Sequence, residues 1–253
     1  MIREEFQAGQ WQFPFVAYYP EGMSDNMPLI IQLHGAGERG VGHDELCKVD
    51  VHGFSKMLQQ GEDYPCIFVM PQCSPESFWA AEVLNIYSFI QAVIQHFHAD
   101  AKRIYLTGLS MGGFGAIRNG LKYADTFSRI VALSSALHVF EGDPELFGAF
   151  LCKDPEKEWK QVVESDANPR WLVENLKGEK PGIYLACGRQ DELFRYTEQF
   201  HGVLNKAGFD HHYVADEGKH DWDYWDRHIR LALDWLPLDE RTGGLNSGNI
   251  RGE

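Results

Sequence analysis

The sequence is short of basic residues. Its 253 residues include 37 Asp or Glu against 23 Lys or Arg, which gives a formal net charge of −14. Nucleic-acid binding depends on basic side chains that neutralise phosphates, and an anionic membrane surface attracts the same residues. We therefore predict no nucleic-acid partner and no membrane partner. The sequence leaves open whether the chain forms a homo-oligomer.

Long apolar runs and paired cysteines are also missing. No stretch approaches the roughly 18 apolar residues of a membrane-spanning helix. The first ten residues, MIREEFQAGQ, contain no apolar signal-peptide segment. The five cysteines are scattered and form no C-x-x-C pair, which argues against a zinc site and against a disulfide framework. We expect no metal, no cofactor and a cytoplasmic location.

The overall composition is that of an ordinary globular protein, with 44% hydrophobic and 24% charged residues. Short apolar runs bounded by turn residues predict strands, and apolar residues at helical spacing predict helices. The predicted strands cover residues 2–9, 13–20, 28–35, 66–72, 103–108, 129–135, 182–188 and 211–216. The predicted helices cover residues 81–97, 111–123, 193–207 and 222–236.

Strands that alternate with helices at this spacing imply right-handed crossovers and a mostly parallel sheet. We predict an α/β fold with a mostly parallel central sheet and helices on both of its faces, built as one domain over residues 1–253. The alternation lapses between residues 136 and 180, and we interpret about 137–180 as a short helical cap insertion. The polar, Gly-rich tail from about 238 to 253 is expected to be flexible.

One serine stands in a Gly-rich turn between a predicted strand and a predicted helix. Gly108-Leu109-Ser110-Met111-Gly112 matches G-x-S-x-G, the nucleophile elbow. Gly108 and Gly112 remove side chains that would collide with the neighbouring strand and helix in so tight a turn. The turn lifts the Ser110 hydroxyl above the carboxyl edge of the sheet, where open α/β sheets bind ligands. The alternative is a serine that only caps the helix.

A serine nucleophile needs a histidine base and a carboxylate that orients the base. In the order typical of this elbow, the acid follows the serine and the histidine comes last. Asp191 follows the strand at 182–188, and His220 follows the strand at 211–216, so both belong to the edge where Ser110 projects. We predict Ser110, Asp191 and His220 as catalytic residues. The alternatives are a helix-capping Asp191 and a solvated His220.

Other acidic and histidine residues are weaker candidates. Glu192 is expected to point away from the site, and three further aspartates are neighbours of His220 in the sequence. Histidines within strands and helices are expected to pack or to face solvent. The residues concerned are Glu192, Asp216, Asp221, Asp223, His96, His98, His211, His212 and His228.

The tetrahedral intermediate that a serine nucleophile forms at a carbonyl carbon needs two backbone N–H donors, which form an oxyanion hole. Met111, at the start of the helix, is predicted to provide one donor. Ala36, in the HGAGERG loop, is predicted to provide the other, with Gly35 or Gly37 in reserve. These two glycines are also predicted to bind substrate, because they let the backbone approach it closely.

Side chains around this loop are candidates for support and for substrate contact. His34 is expected to brace the loop through hydrogen bonds. Glu38 and Arg39 could pair with substrate or with each other, but exposure to solvent is the favoured interpretation. Trp222 and Trp79 are predicted to line a substrate pocket, because tryptophan offers a large amphipathic surface.

These motifs resemble those of the α/β-hydrolase superfamily. Within it, the chain is similar to the esterase D group and to the related predicted peptidases and phospholipase/carboxylesterase-like sequences. The resemblance rests on LHGAGERG, GLSMGGFGA, GRQDELF and GKHDWDYW, and extends over about residues 28–236. It implies a serine hydrolase of carboxylic esters with Ser110, Asp191 and His220 at the catalytic positions. The HGAGERG loop differs from the pattern usual in S-formylglutathione hydrolases.

We therefore predict a carboxylesterase that cleaves small-molecule esters of small to medium acyl groups through an acyl-enzyme. The resemblance includes acetyl and feruloyl esterases of carbohydrates and does not choose between acyl groups. A serine peptidase or a thioesterase of the S-formylglutathione hydrolase type would use the same three residues and is the alternative. A non-catalytic binding module is a third hypothesis, disfavoured because serine, acid and histidine are all present.

Overall fold

A computed structural model of the chain describes residues 1–140 and 154–238. Eight strands in these residues form one sheet, in the order β1-β2-β4-β3-β5-β6-β7-β8. The strands are β1 Ile2–Phe6, β2 Phe15–Tyr19, β3 Leu29–Leu33, β4 Ile67–Pro71, β5 Ile104–Leu109, β6 Arg129–Leu133, β7 Gly182–Gly188 and β8 His211–Asp216.

The sheet is parallel from β4 to β8 in its spatial order, and β2 is antiparallel to both of its neighbours, β1 and β4. Strands β3 to β7 are buried on both faces, as parallel sheets covered by helices require. Strand β1 forms one edge and is mostly exposed. The predicted, mostly parallel sheet is confirmed, and every predicted strand is present with ends shifted by a few residues.

Helices cover both faces of this sheet. They are α1 Phe54–Gln59, α2 Val83–His96, α3 Met111–Lys122, α4 Pro155–Val163, α5 Pro169–Asn175, α6 Phe194–Lys206 and α7 Trp222–Trp235. Three 3₁₀ segments, Ala36–Glu38, His43–Asp50 and Leu137–Phe140, lie in the connecting loops. No helix in the described ranges is long and apolar enough to cross a membrane.

Successive residues of each strand supply two separate cores, because neighbouring side chains point to opposite faces of a sheet. On one face, Ile31 and Leu106 pack with the apolar sides of α2, α3, α5 and α6. On the other face, Ile30 and Tyr105 pack with α1 and α7. The layers hold the carboxyl ends of β5, β6, β7 and β8 side by side.

The predicted cap insertion is described only in part. Residues 141–153 lie outside the described residues, as does the predicted tail from residue 239 onward. The second half of the insertion contains α4 and α5, and Leu172 and Val173 of α5 are buried in the core that α3 shares. Asp166, between these helices, forms an ion pair with Lys122 of α3 at 2.6 Å. This half of the insertion therefore belongs to the helical layer that covers the sheet.

Candidate active site

The turn after β5 holds Ser110 in a strained backbone conformation. Its φ is 53° and its ψ is −117°, in a region that residues other than glycine rarely occupy. Strand β5 ends at Leu109 and α3 begins at Met111, so Ser110 alone makes the turn. Its N–H donates to the Leu133 carbonyl at 2.9 Å, and its carbonyl accepts from the Ala136 N–H at 3.0 Å. These two bonds to the segment after β6 hold the turn.

Close backbone contacts explain the two glycines of the motif. A Cβ atom at Gly108 would lie 2.1 Å from the carbonyl oxygen of Gly112. A Cβ atom at Gly112 would lie 1.9 Å from the carbonyl oxygen of Leu33. Both distances are far shorter than any carbon–oxygen contact, so only glycine fits at either position. The steric argument made from the sequence is confirmed.

The structure brings together the three residues predicted as catalytic. His220 Nε2 lies 3.0 Å from Ser110 Oγ. On the other side of the ring, His220 Nδ1 lies 2.9 Å from Asp191 Oδ2 and 3.1 Å from Oδ1. A carboxylate only accepts hydrogen bonds, so Nδ1 carries the proton and the lone pair of Nε2 faces the serine hydroxyl. This arrangement is able to remove the serine proton.

Asp191 is held in its ionised form. The residue is 5% exposed, and its Oδ1 also accepts the Leu193 N–H at 2.8 Å. Burial alone would raise its pKa, but hydrogen bonds from His220, Leu193 and Ser134 outweigh burial, so the pKa of Asp191 is lowered from its ordinary value of 3.8. An ionised acid keeps the imidazole in the tautomer that this geometry needs.

The rival acidic residues have other roles. Asp216 binds Nε2 of the buried His228 at 3.1 Å, and this histidine packs inside the protein as predicted. Asp221 caps α7 by accepting the Tyr224 N–H at 3.1 Å. Glu192 is exposed beside Asp191. None of these carboxylates replaces Asp191 as the partner of His220.

The predicted oxyanion donors each open a helical segment near the serine. Ala36 is the first residue of Ala36–Glu38, and Met111 is the first residue of α3. The first N–H groups of a helix have no acceptor within it. Within the described part of the chain, neither amide donates to another backbone group. Both amides therefore remain available to a ligand.

The two glycines of the loop differ in their surroundings. Gly35 is buried, and a Cβ atom there would lie 3.1 Å from Cδ1 of Leu109 and 3.7 Å from Cβ of Ser110. The loop therefore passes directly over the serine. Gly37 is exposed, and a Cβ atom there would have no neighbour within 4 Å. Of the two, Gly35 is the one that lies against the nucleophile.

His34 braces this loop, as predicted. The Cys73 N–H donates to His34 Nε2 at 2.9 Å, so Nδ1 carries the proton and donates to the Gly35 carbonyl at 2.5 Å. The imidazole is fully enclosed, and burial lowers the pKa of His34 to about 4. The neutral ring is hydrogen-bonded at both nitrogens, so it fixes the start of the loop, where the chain leaves β3.

The prediction that Trp79 lines a substrate pocket is wrong. Trp79 is fully buried, its Nε1 donates to the His34 carbonyl at 3.0 Å, and its ring packs edge-on against the His34 ring at 5.1 Å. The sequence marked a large aromatic residue near the site but carried no information on which way it points. Trp79 lies beneath the HGAGERG loop and supports it.

The expectation of solvent exposure is wrong for Glu38, whereas Arg39 is partly exposed. Arg39 donates to the carbonyls of Ala36 and Pro75, each at 3.0 Å, and its guanidinium covers the Phe78 ring at 4.4 Å. Glu38 is mostly shielded, and among the described residues its Oε2 has no hydrogen-bond partner. Burial raises the pKa of Glu38. Both side chains are part of the loop's support.

Trp222 is partly exposed and borders His220. It stacks on the His52 ring with centroids 4.4 Å apart, and meets the Trp225 ring at 5.2 Å and 90°. Trp225 in turn packs edge-on against the His220 ring at 4.8 Å and 87°. Trp222 therefore stays a candidate for contact with substrate, on an aromatic wall beside the histidine.

Two contributors were missed by the sequence analysis. Ser134 accepts a hydrogen bond from Trp225, the residue that packs against His220, and His52 supports Trp222. Ser134 follows β6 directly, so the carboxyl-end rule that found Asp191 could have found it. Nothing in the sequence pairs His52 with Trp222, because 170 positions separate them.

Comparisons with known proteins identify the family and the fold of the chain. The family described as "Putative esterase" matches residues 87–236. An acetyl esterase of Caldicellulosiruptor saccharolyticus is 34% identical over 230 residues, which cover 84% of each chain. The S-formylglutathione hydrolase of Staphylococcus aureus superposes with a TM-score of 0.71 at 18% identity, covering 93% of this chain and 97% of that one. A ferulic acid esterase superposes with a TM-score of 0.63 at 19% identity, covering 92% and 95%.

Proposed function

The chain belongs to this esterase family, has the α/β-hydrolase fold and cleaves carboxylic esters as a serine hydrolase; from that premise we propose that Ser110, His220 and Asp191 are its catalytic triad and acetyl esters its substrates. The single observation that carries the triad is the continuous path from Ser110 Oγ through both nitrogens of His220 to the Asp191 carboxylate.

In the first half of the reaction, Ser110 Oγ attacks the ester carbonyl carbon while its proton moves to His220 Nε2. The carbonyl oxygen takes up the negative charge and is held by the amides of Met111 and Ala36. The intermediate then collapses, the bond to the alcohol oxygen breaks, and His220 returns the proton to the departing alcohol. The acetyl group remains on Ser110.

In the second half, water attacks the acetyl carbon of the acyl-enzyme and gives a proton to His220. The second tetrahedral intermediate collapses, the bond to Ser110 Oγ breaks, and His220 returns its proton to that oxygen. Acetic acid leaves as acetate and a proton. Asp191 stays ionised throughout and stabilises the imidazolium that forms twice in each cycle.

The buried Glu38 carboxyl suits this chemistry when it is neutral. A point one bond from Cα of Gly35, where a Cβ would stand, lies 3.2 Å from Glu38 Oε2 and 3.7 Å from Ser110 Cβ. Glu38 and Ser110 therefore flank the same small volume. A second negative charge here would oppose the oxyanion, and burial favours the protonated acid by raising the pKa of Glu38.

The preference for acetyl esters rests on the acetyl esterase that is 34% identical over most of both chains. The filled space around Gly35, where Leu109 and Glu38 already crowd the loop, is in keeping with a small acyl group. We place the alcohol of the ester beside Trp222, whose indole stands two residues past His220 and is partly exposed. An indole face suits an alcohol that presents C–H groups, such as a sugar.

We also propose that the chain is one domain, with the insertion at about 137–180 as a short helical cap over the sheet. Among the described residues of this insertion, Leu172 and Val173 of α5 are buried in the core that α3 shares, and α3 carries Met111. The segment thus begins beside the carboxyl edge, at Leu137, and ends in the helical layer.

Ser110→Ala tests the proposal. The variant should lose about 10⁴-fold or more in kcat for p-nitrophenyl acetate, because no other group supplies the nucleophile. It should also lose all labelling by a fluorophosphonate probe. Its far-UV circular dichroism and thermal midpoint serve as controls for folding. Turnover equal to that of the wild type would rule out the triad.

A panel of esters tests the substrate. Acetyl esters should give higher kcat/KM than butyryl or feruloyl esters of the same alcohol, and higher values than S-formylglutathione. Acetylated sugars should exceed acetylated simple alcohols if Trp222 binds the alcohol side, and Trp222→Ala should remove that advantage. A preference for the thioester or for a long acyl chain would contradict the acetyl assignment.

A further inference from the structure

A second serine outside the predicted triad stands at the centre of the site's supporting contacts. Ser134 follows β6 directly, is fully buried and has a φ of 44°. A residue other than glycine keeps such a backbone only where its surroundings hold it. Here the Ser134 N–H donates to the Ala186 carbonyl of β7 at 2.8 Å. The strained geometry is therefore built into the fold.

The residues on either side of Ser134 hold the nucleophile. The Leu133 carbonyl accepts the Ser110 N–H, and the Ala136 N–H donates to the Ser110 carbonyl. Leu133 and Ala136 thus fix the backbone of the elbow by hydrogen bonds, and Ser134 lies between them in the chain.

The Ser134 hydroxyl has its own set of partners. The Trp225 Nε1–H donates to Ser134 Oγ at 3.0 Å, and Cys187 Sγ lies 4.0 Å from the same oxygen. A hydroxyl has two lone pairs and one proton. The Ser134 side chain is also one of the hydrogen-bonding groups that lower the pKa of Asp191.

Trp225 contacts both Ser134 and His220. The indole is 7% exposed, and its ring meets the His220 ring edge-on at 4.8 Å and 87°. An indole whose nitrogen is tied to a buried hydroxyl cannot rotate, so it presents a fixed wall to the imidazole.

We propose that Ser134 is a positioning residue of this esterase. Its hydroxyl fixes the indole of Trp225, which packs against the His220 ring, and it also stabilises the charged Asp191 carboxylate, so that one side chain supports both base and acid. It touches no reacting atom. The inference rests on the proposed roles of Ser110, His220 and Asp191, and adds the group that keeps the last two in register.

The titratable groups around this hydroxyl are few. Asp191 and Cys187 come from β7 and the loop after it, His220 from the loop after β8, and His138 from the segment after β6. Burial raises the pKa of Cys187 to about 12, so its thiol is neutral. Burial lowers the pKa of His138, with an opposing effect of the exposed Glu192 and a further lowering by His220.

Loss of the hydroxyl therefore acts mainly on the Asp191–His220 pair. Without the Ser134 hydroxyl, the Asp191 carboxylate loses one of the groups that stabilise its charge and binds the imidazolium more strongly. The protonated form of His220 gains, and this form cannot accept the serine proton. The acid limb of the kcat/KM profile should then move to higher pH.

Ser134→Ala and Ser134→Gly test the proposal, with Ser135→Ala as the matched control. Ser135 is the next residue and is equally buried, but among the described residues its Oγ has no hydrogen-bond partner. Both Ser134 variants should lose about 10- to 100-fold in kcat on p-nitrophenyl acetate with little change in KM. Both should also show the shifted acid limb, whereas Ser135→Ala should match the wild type.

The glycine variant separates the hydroxyl from the backbone. Ser134→Gly accepts the positive φ without strain, so it should fold at least as well as Ser134→Ala and be equally slow. Trp225→Phe removes the indole donor while keeping an aromatic ring. The double variant with Ser134→Ala should lose less than the product of the two single losses, because both act through one hydrogen bond.

The rate of fluorophosphonate labelling of Ser110 tells the two possible failures apart. If the wild type is not labelled, the proposed function itself fails. If the wild type is labelled but both Ser134 variants match Ser135→Ala in kcat and acid limb, the positioning role is overturned while the triad stands. Slow labelling of both Ser134 variants, with normal labelling of Ser135→Ala, supports the proposal.

Discussion

The two ends of the parallel strands are both lined with polar side chains, but they are built differently. At the carboxyl ends, Ser110, Asp191 and His220 bond to one another, and Ser110 and Ser134 both stand in strained backbone. At the amino ends of β5, β6 and β7 lies a cavity of about 340 Å³. Open space is therefore present at the edge opposite the triad.

The polar groups around the amino-end cavity mostly bond to the protein's own backbone and to local ion pairs. Arg103 donates to the Asn26 carbonyl at 2.7 Å and to Asp100 at 2.8 Å. The Tyr105 hydroxyl donates to the Pro237 carbonyl at 2.9 Å, and Lys180 Nζ donates to the Ala207 carbonyl at 2.7 Å. These contacts tie chain segments together.

The comparison shows that side chains bonded to one another identify the candidate active site. The size of a cavity does not identify it. At the carboxyl ends, the backbone is strained and the glycines are in close contact with other backbone atoms. Both features need the surrounding fold to maintain them. Amino-end groups bond to backbone carbonyls of other segments, such as those of Asn26 and Pro237. Four experiments, ordered from the largest expected effect to the smallest, test this difference.

The same substitution at the two edges should have opposite consequences for activity. Asp191→Asn should lower kcat by about 10³- to 10⁴-fold, because an amide does not hold the required imidazole tautomer. Asp100→Asn, which loses the Arg103 ion pair at the amino end, should leave kcat unchanged and lower stability only slightly. Initial rates with p-nitrophenyl acetate and urea unfolding measure both. A large loss of kcat in Asp100→Asn would remove the distinction.

A methyl group added at the elbow should disrupt the fold itself. Gly112→Ala would bring Cβ to 1.9 Å from the Leu33 carbonyl oxygen, so we expect a loss of stability of more than about 3 kcal/mol or no folded protein. Gly202→Ala, on α6 with nothing within 4 Å, should be neutral or stabilising by up to about 1 kcal/mol. Urea unfolding followed by circular dichroism measures the pair. A well-folded Gly112→Ala variant would contradict the tight-turn argument.

As the pH is lowered, acid should destabilise the HGAGERG loop, which His34 braces, at a higher pH than it affects the amino ends of the strands. His34 has an ordinary pKa of 6.5 and a folded pKa of about 4, so between these values the unfolded chain binds a proton that the folded chain does not. Stability is therefore complete above pH 6.5 and falls as the pH drops toward 4, by roughly 3 kcal/mol. Urea unfolding across this pH range should show the fall.

The control for this pH dependence is a pair of histidine variants. His34→Asn should flatten the fall in stability below pH 6.5, whatever its effect at neutral pH. His98→Asn, at an exposed position with a φ of 48° that asparagine tolerates, should leave the slope as in the wild type. An unchanged slope in His34→Asn would move the acid-sensitive group elsewhere.

The smallest effect is expected for Glu38. Because burial raises its pKa above 4.5, the folded chain binds a proton more tightly than the unfolded chain. Its contribution to stability is present below pH 4.5 and is lost as the pH rises through the folded pKa. Glu38→Gln cannot lose a proton, so its thermal midpoint relative to the wild type should rise slightly with pH. A relative midpoint that falls with pH would show that the carboxylate form is the one the fold stabilises.

Much of the site was predictable because strand ends are visible in the sequence. Ser110, Asp191 and His220 each follow a short apolar run, and the carboxyl ends of parallel strands meet at one edge. His34 was predicted as a brace on the same grounds. Trp79 was misjudged because a loop residue has no periodicity that reports its direction. The contacts of Arg39 were not predicted because its partners, the Pro75 carbonyl and the Phe78 ring, belong to a distant segment.

The sequence by itself determined the alternation of strands and helices, the glycine-flanked serine and the order in which acid and histidine follow it. These are local properties, since apolar periodicity and the absence of a Cβ act within a few residues. Only the tertiary structure decided that Ser134 accepts a hydrogen bond from Trp225, that Trp79 lies beneath the loop, and that Glu38 is shielded. Burial and hydrogen-bond partners depend on segments that meet only when the sheet and its two helical layers have assembled.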